Sequence, residues 1–346
     1  MGRKTAEKEG AFMTERQSPV SLVTGGGGFL GLAIVRGLLR QNKPVRSFSR
    51  KNHPELERLG VEQITGDLRD PESLIQACRN ADQVFHTAAK AGVWGDYQDY
   101  YETNCLGTEN VISACRRCRV SLLIHTSSPS VVFTGKDMEG SDESAPYPAR
   151  FLSHYPETKA MAEQAVIQAA RDLRTMVLRP HLIWGPGDPH LTPRILARAK
   201  RLKRVGNGRN RVDVTYIDNA AHAHLLAAER LAQNPDLSGR VYFISQGEPV
   251  LLWEMVDHIL KAGGLPPVRG TISRKTAQRI GGVLEAVYRT FRIRSEPIMT
   301  RFVADELASS HWFDINAAKR DLGYAPQVSI EEGLEKLADY LKRGKQ

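Results

Sequence analysis

Short apolar runs alternate with stretches of helical periodicity over the first half of the chain. The apolar runs predict strands over residues 20–24, 45–49, 61–66, 83–88, 121–127 and 175–180. The periodic stretches between them predict helices over residues 29–41, 71–79, 104–117 and 155–171. This alternation is typical of a parallel sheet that is covered by helices on both faces. We therefore predict the α/β class, with a Rossmann-type doubly wound sheet whose ligand binds beyond the carboxyl ends of the strands.

The pattern changes after Trp184. A turn-rich break precedes a basic helix over residues 192–203, and strand-like runs at 212–217 and 241–245 are predicted to return to the sheet. From Glu248 onward the periodicity is helical, with helices over 314–323 and from Ser329. The expected organisation is a disordered tail (1–18), a dinucleotide-binding domain (19–185, with 212–246 returning to it) and a smaller, mostly helical C-terminal substrate-binding cap (186–211 and 247–346). We expect the two parts to pack together, because no low-complexity linker separates them.

Composition and charge narrow the class of protein. The net charge is +9, but basic residues are spread along the chain among acidic ones, which argues against a nucleic-acid partner. No apolar run reaches the length of a transmembrane segment, and residues 1–19 do not resemble a secretory signal. The four cysteines are expected to be free thiols in a cytoplasmic protein. Cys115 and Cys118 have the spacing of half a zinc site, yet no second pair completes it, so no metal is expected.

A glycine-rich loop follows the first predicted strand and opens the first predicted helix. Gly25, Gly28 and Gly31 fit the spacing G-x-x-G-x-x-G. These glycines permit a tight turn, a close approach of the backbone to a pyrophosphate and close packing of the helix on the strand. Phe29 and Leu30 begin the helix, whose free N–H groups favour phosphate. The loop therefore predicts a dinucleotide site.

The residues after the second strand predict which dinucleotide binds. NAD enzymes usually place a carboxylate there for the ribose hydroxyls, whereas this chain has Ser49 followed by Arg50 and Lys51. Because the two cations would pair with a 2′-phosphate, we predict a preference for NADP(H) over NAD(H).

Further cofactor contacts are expected after the third and fourth strands. Asp67, followed by Leu68, closes the third strand, where a carboxylate can accept a hydrogen bond from the adenine amine. Ala88 and Ala89 follow the fourth strand and offer small side chains beside the cofactor.

A tyrosine and a lysine lie one helical turn apart at the start of the helix that follows the fifth strand. Tyr155 and Lys159 are separated by four residues and so share one face. A phenol with a pKa near ~10 is a poor acid or base at neutral pH, and a neighbouring cation is expected to lower that pKa. The pair predicts acid–base catalysis, and Lys159 could also bind ribose hydroxyls.

A serine run closes the fifth strand. Ser128 is the better candidate, and Ser127 the alternative, for donating a hydrogen bond to a substrate carbonyl oxygen beside Tyr155. Asn104 is expected at the start of the preceding helix, either as a plain cap or as a residue that positions Lys159 through water.

Together, these motifs in this order resemble the extended short-chain dehydrogenase/reductases, and the resemblance covers residues 19 to about 341. In that family an Arg-Pro-x-x-x-x-Gly-Pro segment passes the nicotinamide, which implicates Pro180 in holding its carboxamide. The segments 88–95, 126–131 and 179–185 look like the 3β-hydroxysteroid dehydrogenase branch, and are most similar to the bacterial 2-alkyl-3-oxoalkanoate reductases of olefin biosynthesis. The resemblance implies that Lys90 contacts both the cofactor and the substrate. The substrate contacts it implies are Lys90, Trp94, Ser128, Ser130, His181 and Trp184.

The implied activity is NADPH-dependent reduction of the 3-keto group of a long-chain β-keto acid, with a small hydrophobic carbonyl or alcohol compound as partner. A 3β-hydroxysteroid or sterol dehydrogenase is the main alternative. A sugar-nucleotide epimerase is disfavoured by Ser49, and a catalytically inactive cofactor-binding regulator by the intact Ser128, Tyr155 and Lys159. Residues 280–293 mix apolar and cationic positions at helical spacing; we expect them to cover the core or the substrate pocket, with weak membrane-surface contact as the alternative. A homodimer is compatible with the resemblance.

Overall fold

The computed structural model describes residues 20–344. The disordered tail predicted for residues 1–18 lies outside this range. The strands are β1 (Val20–Thr24), β2 (Val45–Ser49), β3 (Glu62–Thr65), β4 (Ala81–His86), β5 (Leu122–Thr126), β6 (Met138–Ser141), β7 (Arg174–Pro180), β8 (Ile183–Trp184), β9 (Arg204–Val205), β10 (Arg211–Val212), β11 (Thr215–Tyr216), β12 (Arg240–Ile244), β13 (Val250–Leu251), β14 (Thr271–Ile272) and β15 (His311–Phe313).

Helices connect most of these strands. They are α1 (Phe29–Arg40), α2 (Pro54–Arg58), α3 (Pro71–Cys78), α4 (Tyr97–Tyr100), α5 (Gly107–Cys118), α6 (His154–Ala169), α7 (Leu191–Arg198), α8 (Ile217–Gln233), α9 (Leu252–Ala262), α10 (Arg274–Thr290), α11 (Arg301–Ala308) and α12 (Ile330–Arg343). A π-helical turn, Tyr101–Leu106, joins α4 to α5, and a second one is Ala318–Leu322.

Seven parallel strands form the main sheet, in the order β12-β7-β5-β4-β1-β2-β3. The chain runs outward from β1 to β3, then returns to the other side of β1 with β4. This reversal opens a crevice beyond the carboxyl ends of β1 and β4, where doubly wound sheets bind ligands. The predicted fold class is confirmed.

Both faces of the sheet are buried. Leu22 and Val23 are adjacent in β1, point to opposite faces and are both fully buried, each in a different apolar cluster. Helices α1 and α8 pack together on one face, and α3, α5 and α6 pack in series on the other. Burial on both faces explains why these strands are continuous apolar runs rather than alternating ones.

One strand prediction was wrong. Residues 212–217 do not return to the main sheet as a strand; β10 joins a four-stranded sheet in the order β13-β10-β15-β6, and β11 pairs with β8. Asp213 and Val214 separate the two short strands, and an isolated apolar run cannot reveal which sheet it joins. The return to the main sheet comes instead through α8 and β12.

The segment 280–293 comprises the C-terminal part of α10 and the three residues after it. We expected its apolar side chains to cover the core or the substrate pocket, but several of them are exposed. Val283 is 64 % exposed and Phe291 is 72 % exposed, whereas the buried positions of α10 include Glu285, which pairs with Arg301 of α11 at 2.8 Å. Within residues 20–344, no helix combines the length and the apolar character needed to cross a membrane.

Candidate active site

The glycine loop between β1 and α1 forms the centre of the crevice. Gly25 has a φ of +72°, which disfavours other residues, and its carbonyl accepts a hydrogen bond of 2.8 Å from the Gly28 amide. A Cβ atom on Gly31 would lie 2.1 Å from the Gly25 carbonyl oxygen, so α1 starts too close to the loop for any side chain there. Phe29 and Leu30 form the first turn of α1, next to the loop.

Adding one methyl group to this loop should therefore disrupt it. We expect Gly31→Ala to lower the affinity for a nicotinamide dinucleotide at least about tenfold and stability by about 1–3 kcal/mol, because the backbone around Gly25 must move. Fluorescence titration and thermal unfolding measure the two effects. Gly282→Ala is the matched control, since its Cβ atom would lie 3.7 Å from its nearest neighbour, the Arg301 side chain. Equal affinities for the dinucleotide in both variants would contradict this role of Gly31.

A directed hydrogen-bond chain ties the ends of β1 and β4 to the π-helical turn. His86 is buried, and burial lowers its pKa to about 3, so the ring is neutral. Thr108 donates to the carbonyl of Asn104 at 2.6 Å, so its oxygen must accept from His86 Nε2 at 3.0 Å. His86 Nδ1 then accepts from Thr24 Oγ1 at 2.8 Å, and that oxygen accepts from the Ala88 amide at 3.3 Å.

The sequence did not reveal that His86 and Thr108 take part in these hydrogen bonds. The available signal was a histidine inside a predicted buried strand, since polar side chains in such a strand need a partner. These hydrogen bonds fix the backbone at Ala88, where the crevice begins.

The residues after β2 retain groups that fit a phosphorylated ribose. The Ser49 hydroxyl is buried without a hydrogen-bond partner. Arg50 and Lys51 are exposed, and neither side chain forms a hydrogen bond or ion pair within the described residues 20–344. A buried hydroxyl without a partner and two exposed cations are thus available at the end of β2 to bind a polar group of a dinucleotide.

The residues predicted after β3 lie at the same edge. The Asp67 carboxylate accepts a hydrogen bond of 2.8 Å from Arg69, which lowers the pKa of Asp67 most, and the charge of Arg50 lowers it further. The side chain of Leu68, the next residue, is buried. Ala88 and Ala89 follow β4, and their methyl groups are too small to fill the crevice. Pro180 is the last residue of β7, which is separated from β4 by β5 in the sheet.

The serine and the tyrosine meet at one cavity. Ser128 and Tyr155 both line it, at the carboxyl end of β5 and at the start of α6 respectively. Burial raises the pKa of Tyr155, and the Ser128 hydroxyl lowers it through a hydrogen bond. Ser128 Oγ also lies 2.9 Å from Ser130 Oγ, which lines the same cavity. Ser127, the alternative, is buried with an unpartnered hydroxyl and does not line the cavity.

Lys159 is buried, and its ammonium is directed to the end of β5. Its ammonium donates to the Thr126 carbonyl at 2.6 Å and to His125 Nε2 at 3.2 Å. Burial lowers the pKa of Lys159 to about 8. The expected lowering of the Tyr155 pKa by Lys159 is not found; besides burial, the charge of Glu306 raises it. The reason is orientation, because Lys159 points to the end of β5.

Asn104 does not cap a helix, which was one of its two predicted roles; a role in positioning Lys159 through water stays a prediction. It lies inside the π-helical turn, where its side chain accepts from the Lys90 amide at 2.8 Å and donates to the Lys90 carbonyl and to Thr158, each at 3.1 Å. Asn104 thus connects the loop after β4 to the helix that carries Tyr155.

The cavity has a volume of about 260 Å³. Of the substrate contacts implied by resemblance, Ser128, Ser130 and His181 line it. Lys90, Trp94 and Trp184 do not. The Lys90 ammonium pairs with Asp99 at 3.1 Å, and Trp94 donates to the Ile293 carbonyl at 3.1 Å.

Trp184 requires a correction, since it is fully buried and packs edge-on against Tyr216 with ring centroids 5.3 Å apart. It belongs to the core under α12.

His181 lines the cavity but offers it no free nitrogen. Its Nδ1 hydrogen-bonds Asp213, and its Nε2 lies 3.1 Å from Nδ1 of His311. The Nε2 of His311 donates to the Glu306 carbonyl at 2.9 Å, so His311 Nδ1 accepts from His181. Glu306 also lines the cavity, and burial raises the pKa of its carboxyl to about 8. Sequence reasoning missed His311 and Glu306, which come from α11 and β15.

A glycine turn at the switch point of a doubly wound sheet and a serine–tyrosine pair at the same edge define the class of the extended short-chain dehydrogenase/reductases. The profile of the 3-beta hydroxysteroid dehydrogenase/isomerase family matches residues 22–272, more than half of the chain, and the chain therefore belongs to this family. The protein is an oxidoreductase that acts on keto or hydroxyl groups. The family predicted from the motifs is confirmed.

Individual relatives extend over nearly the whole chain. The chain is 50 % identical over 323 residues to a 2-alkyl-3-oxoalkanoate reductase from Stenotrophomonas maltophilia, a match that covers 91 % of this chain and 97 % of the relative. It is 33 % identical to a decarboxylating sterol-4-alpha-carboxylate 3-dehydrogenase from Mus musculus, covering 91 % and 88 % of the two chains. Among solved structures, MoeE5 in complex with UDP-glucose and NAD superimposes with a TM-score of 0.72 at 26 % identity, covering 94 % and 99 %.

Proposed function

We propose that this protein reduces the 3-keto group of a long-chain 2-alkyl-3-oxoalkanoate to a hydroxyl group, with NADPH as the reductant. The observation that carries the proposal is the pair of hydroxyls, Ser128 and Tyr155, that face one cavity in a chain half identical to a reductase of such compounds. The similarity extends over almost the full length of both chains, so it includes the cap as well as the sheet.

The residues of the cavity suit carbonyl reduction. Ser128 and Tyr155 would each donate a hydrogen bond to the keto oxygen, where negative charge develops during the reaction. Such donors stabilise the transition state more than the ground state. Bound NADPH would supply the hydride to the keto carbon. Tyr155 would then give its proton to the oxygen, and the raised pKa of this phenol favours the protonated form that the step requires.

The cofactor would lie over the glycine loop. A nicotinamide dinucleotide is supported by the loop geometry around Gly25 and by the structural similarity to MoeE5, whose complex contains NAD. The Lys159 ammonium has three N–H groups, two of which donate to Thr126 and His125, so the third would bind the hydroxyls of the nicotinamide ribose. Ser49, Arg50 and Lys51 would bind the adenosine ribose with its 2′-phosphate.

The preference for NADPH can be tested at the two cations. We expect the double variant Arg50→Ser with Lys51→Ser to lose about 10- to 100-fold in kcat/KM for NADPH and to keep that for NADH within about threefold, because two charge-assisted contacts to the 2′-phosphate disappear. Lys43→Ser, at the amino end of β2, is the control and should change neither value. If the wild type uses NADH as efficiently as NADPH, the preference is wrong.

The second candidate is a sterol or 3β-hydroxysteroid dehydrogenase, which the 33 % identical mouse relative favours. The two activities separate in one assay series with purified protein. Oxidation of NADPH is followed with freshly prepared 2-alkyl-3-ketoacids of long chain, before they lose CO₂, and reduction of NADP+ and NAD+ is followed with 3β-hydroxysteroids. We expect turnover of the ketoacids alone; turnover confined to the steroids would refute the proposed function and support the alternative.

A further inference from the structure

A 2-alkyl-3-oxoalkanoate carries a carboxylate only two carbon atoms from its keto carbon. When Ser128 and Tyr155 bind the keto oxygen, this carboxylate must enter the same partly enclosed cavity. Transfer of a carboxylate out of water is costly unless a cation or several donors meet it. Some group near the hydroxyl pair must therefore compensate this charge.

Among the described residues that line the cavity, Arg194 is the single lysine or arginine. It lies in α7, and its Nη2 donates to Glu296 at 2.9 Å. Within residues 20–344, its other guanidinium N–H groups make no hydrogen bond. A guanidinium has five N–H donors in a fixed fork, so Glu296 can hold one edge while another binds a second carboxylate.

Arg194 lines the same cavity as the hydroxyl pair, and two observations relate its ion pair to Tyr155. A Cβ atom on Gly92, another cavity residue, would lie 3.3 Å from the Glu296 carboxylate and 3.5 Å from the Tyr100 hydroxyl. Burial raises the pKa of Tyr100 most, Glu296 and Tyr155 raise it further, and the charge of Arg194 lowers it. The Tyr100 phenol thus interacts electrostatically with the Arg194–Glu296 ion pair and with Tyr155.

Three histidines (His181, His190 and His311) and Glu306 also line the cavity, and none of them has the permanent charge and the five donors of a guanidinium. Both nitrogens of His181 and of His311 are bonded within the protein, and burial lowers the pKa of His311 to about 3, so that ring is neutral. Glu306 would repel a substrate carboxylate if it were ionised, but burial raises its pKa to about 8, so it is mostly protonated at neutral pH. A charge on His181, whose two nitrogens donate to Asp213 and to His311, would be neutralised by the Asp213 carboxylate. Among the described lining residues, Arg194 is left as the permanent positive charge.

We propose that Arg194, held in place by Glu296, binds the carboxylate of the 2-alkyl-3-oxoalkanoate and so selects acids over neutral ketones and esters. This assignment rests on the proposed function, because it requires a β-keto acid as substrate. It makes Arg194 a specificity residue, distinct from the hydroxyl pair that acts on the keto oxygen.

The test compares an acid with its methyl ester. Because β-keto acids lose CO₂ spontaneously, the reaction is run in the oxidation direction, with NADP+ and a long-chain 2-alkyl-3-hydroxy acid or its methyl ester. We expect Arg194→Gln to lower kcat/KM for the acid about 10- to 100-fold, mainly through KM, and to change that for the ester less than about threefold. Arg194→Lys should recover part of the activity on the acid, since it restores the charge without the fork.

Arg198→Gln is the matched control. Arg198 lies four residues further along α7, donates to the Ile298 carbonyl at 3.2 Å and does not line the cavity, so both substrates should be oxidised as by the wild type. The proposal is overturned if Arg194→Gln affects acid and ester equally, which would indicate a structural role, or if it affects neither. A wild-type protein that oxidises neither substrate but oxidises 3β-hydroxysteroids would refute the proposed function itself, and the role of Arg194 with it. Thermal unfolding confirms that each variant is folded.

Discussion

Tyr155→Phe is expected to reduce turnover at least about 10³-fold while the affinity for NADPH stays within about threefold. Removing one oxygen atom eliminates the proton donor and one of the two hydrogen bonds to the developing oxyanion, and each of these typically contributes 10²-fold or more. The aromatic ring remains, so the cavity keeps its shape. Steady-state kinetics with the 2-alkyl-3-ketoacid and fluorescence titration with NADPH measure the two quantities.

The control for this experiment is Tyr340→Phe, which removes a half-exposed hydroxyl on α12, away from the cavity. It should behave as the wild type in both measurements. Retention of more than a tenth of the wild-type rate by Tyr155→Phe would show that another group, such as Glu306, supplies the proton. A parallel loss of rate and NADPH affinity would instead indicate damage to the crevice.

Glu163→Ala is expected to destabilise the fold by about 3–5 kcal/mol, because it leaves Arg179 with a buried, unpaired charge. Both side chains are almost fully buried, at 0 % and 3 % exposure. Glu163 accepts from Arg179 Nε at 3.1 Å and from the Tyr147 hydroxyl at 2.6 Å. Denaturant unfolding monitored by circular dichroism gives the change in free energy.

Two further variants show whether the effect comes from the unpaired charge. Adding Arg179→Leu to Glu163→Ala should restore part of the stability, since the charge is then removed together with its partner. Glu72→Ala breaks an exposed pair with Arg117 at 3.5 Å and should cost no more than about 1 kcal/mol. If all three variants unfold alike, the buried pair does not stabilise the fold.

The buried pair also matters for the site. Glu163 lies four residues after Lys159 on α6, and its charge raises the pKa of that lysine against the larger effect of burial. The helix that carries Tyr155 and Lys159 is thus fixed to β7 by an ion pair as well as by apolar packing.

How much of the site could be predicted depends on whether its parts are local in sequence. The glycine loop and the Tyr155–Lys159 spacing are local, because a turn and one helical face are set by residues within one to seven positions. The position of Ser128 follows from the end of a single strand. By contrast, the Lys159 ammonium points to the end of β5, 33 residues away in sequence, and no spacing reveals that contact.

The predictions that failed share this dependence on distant partners. Trp184 is next to a cofactor motif in sequence but packs on Tyr216. Residues 212–217 have a strand pattern, yet their partners are β15, β13 and β8 rather than the main sheet.

The amino-acid sequence by itself determined the main sheet, the glycine turn and the order of the candidate catalytic residues. Hydrophobic periodicity and glycine spacing act over a few residues and can be recognised without knowledge of the remaining chain. Tertiary structure alone decided which polar groups face the cavity. Arg194 and Glu296 are separated by 102 positions, and His181 and His311 by 130. Such contacts depend on how segments that are distant in sequence pack together.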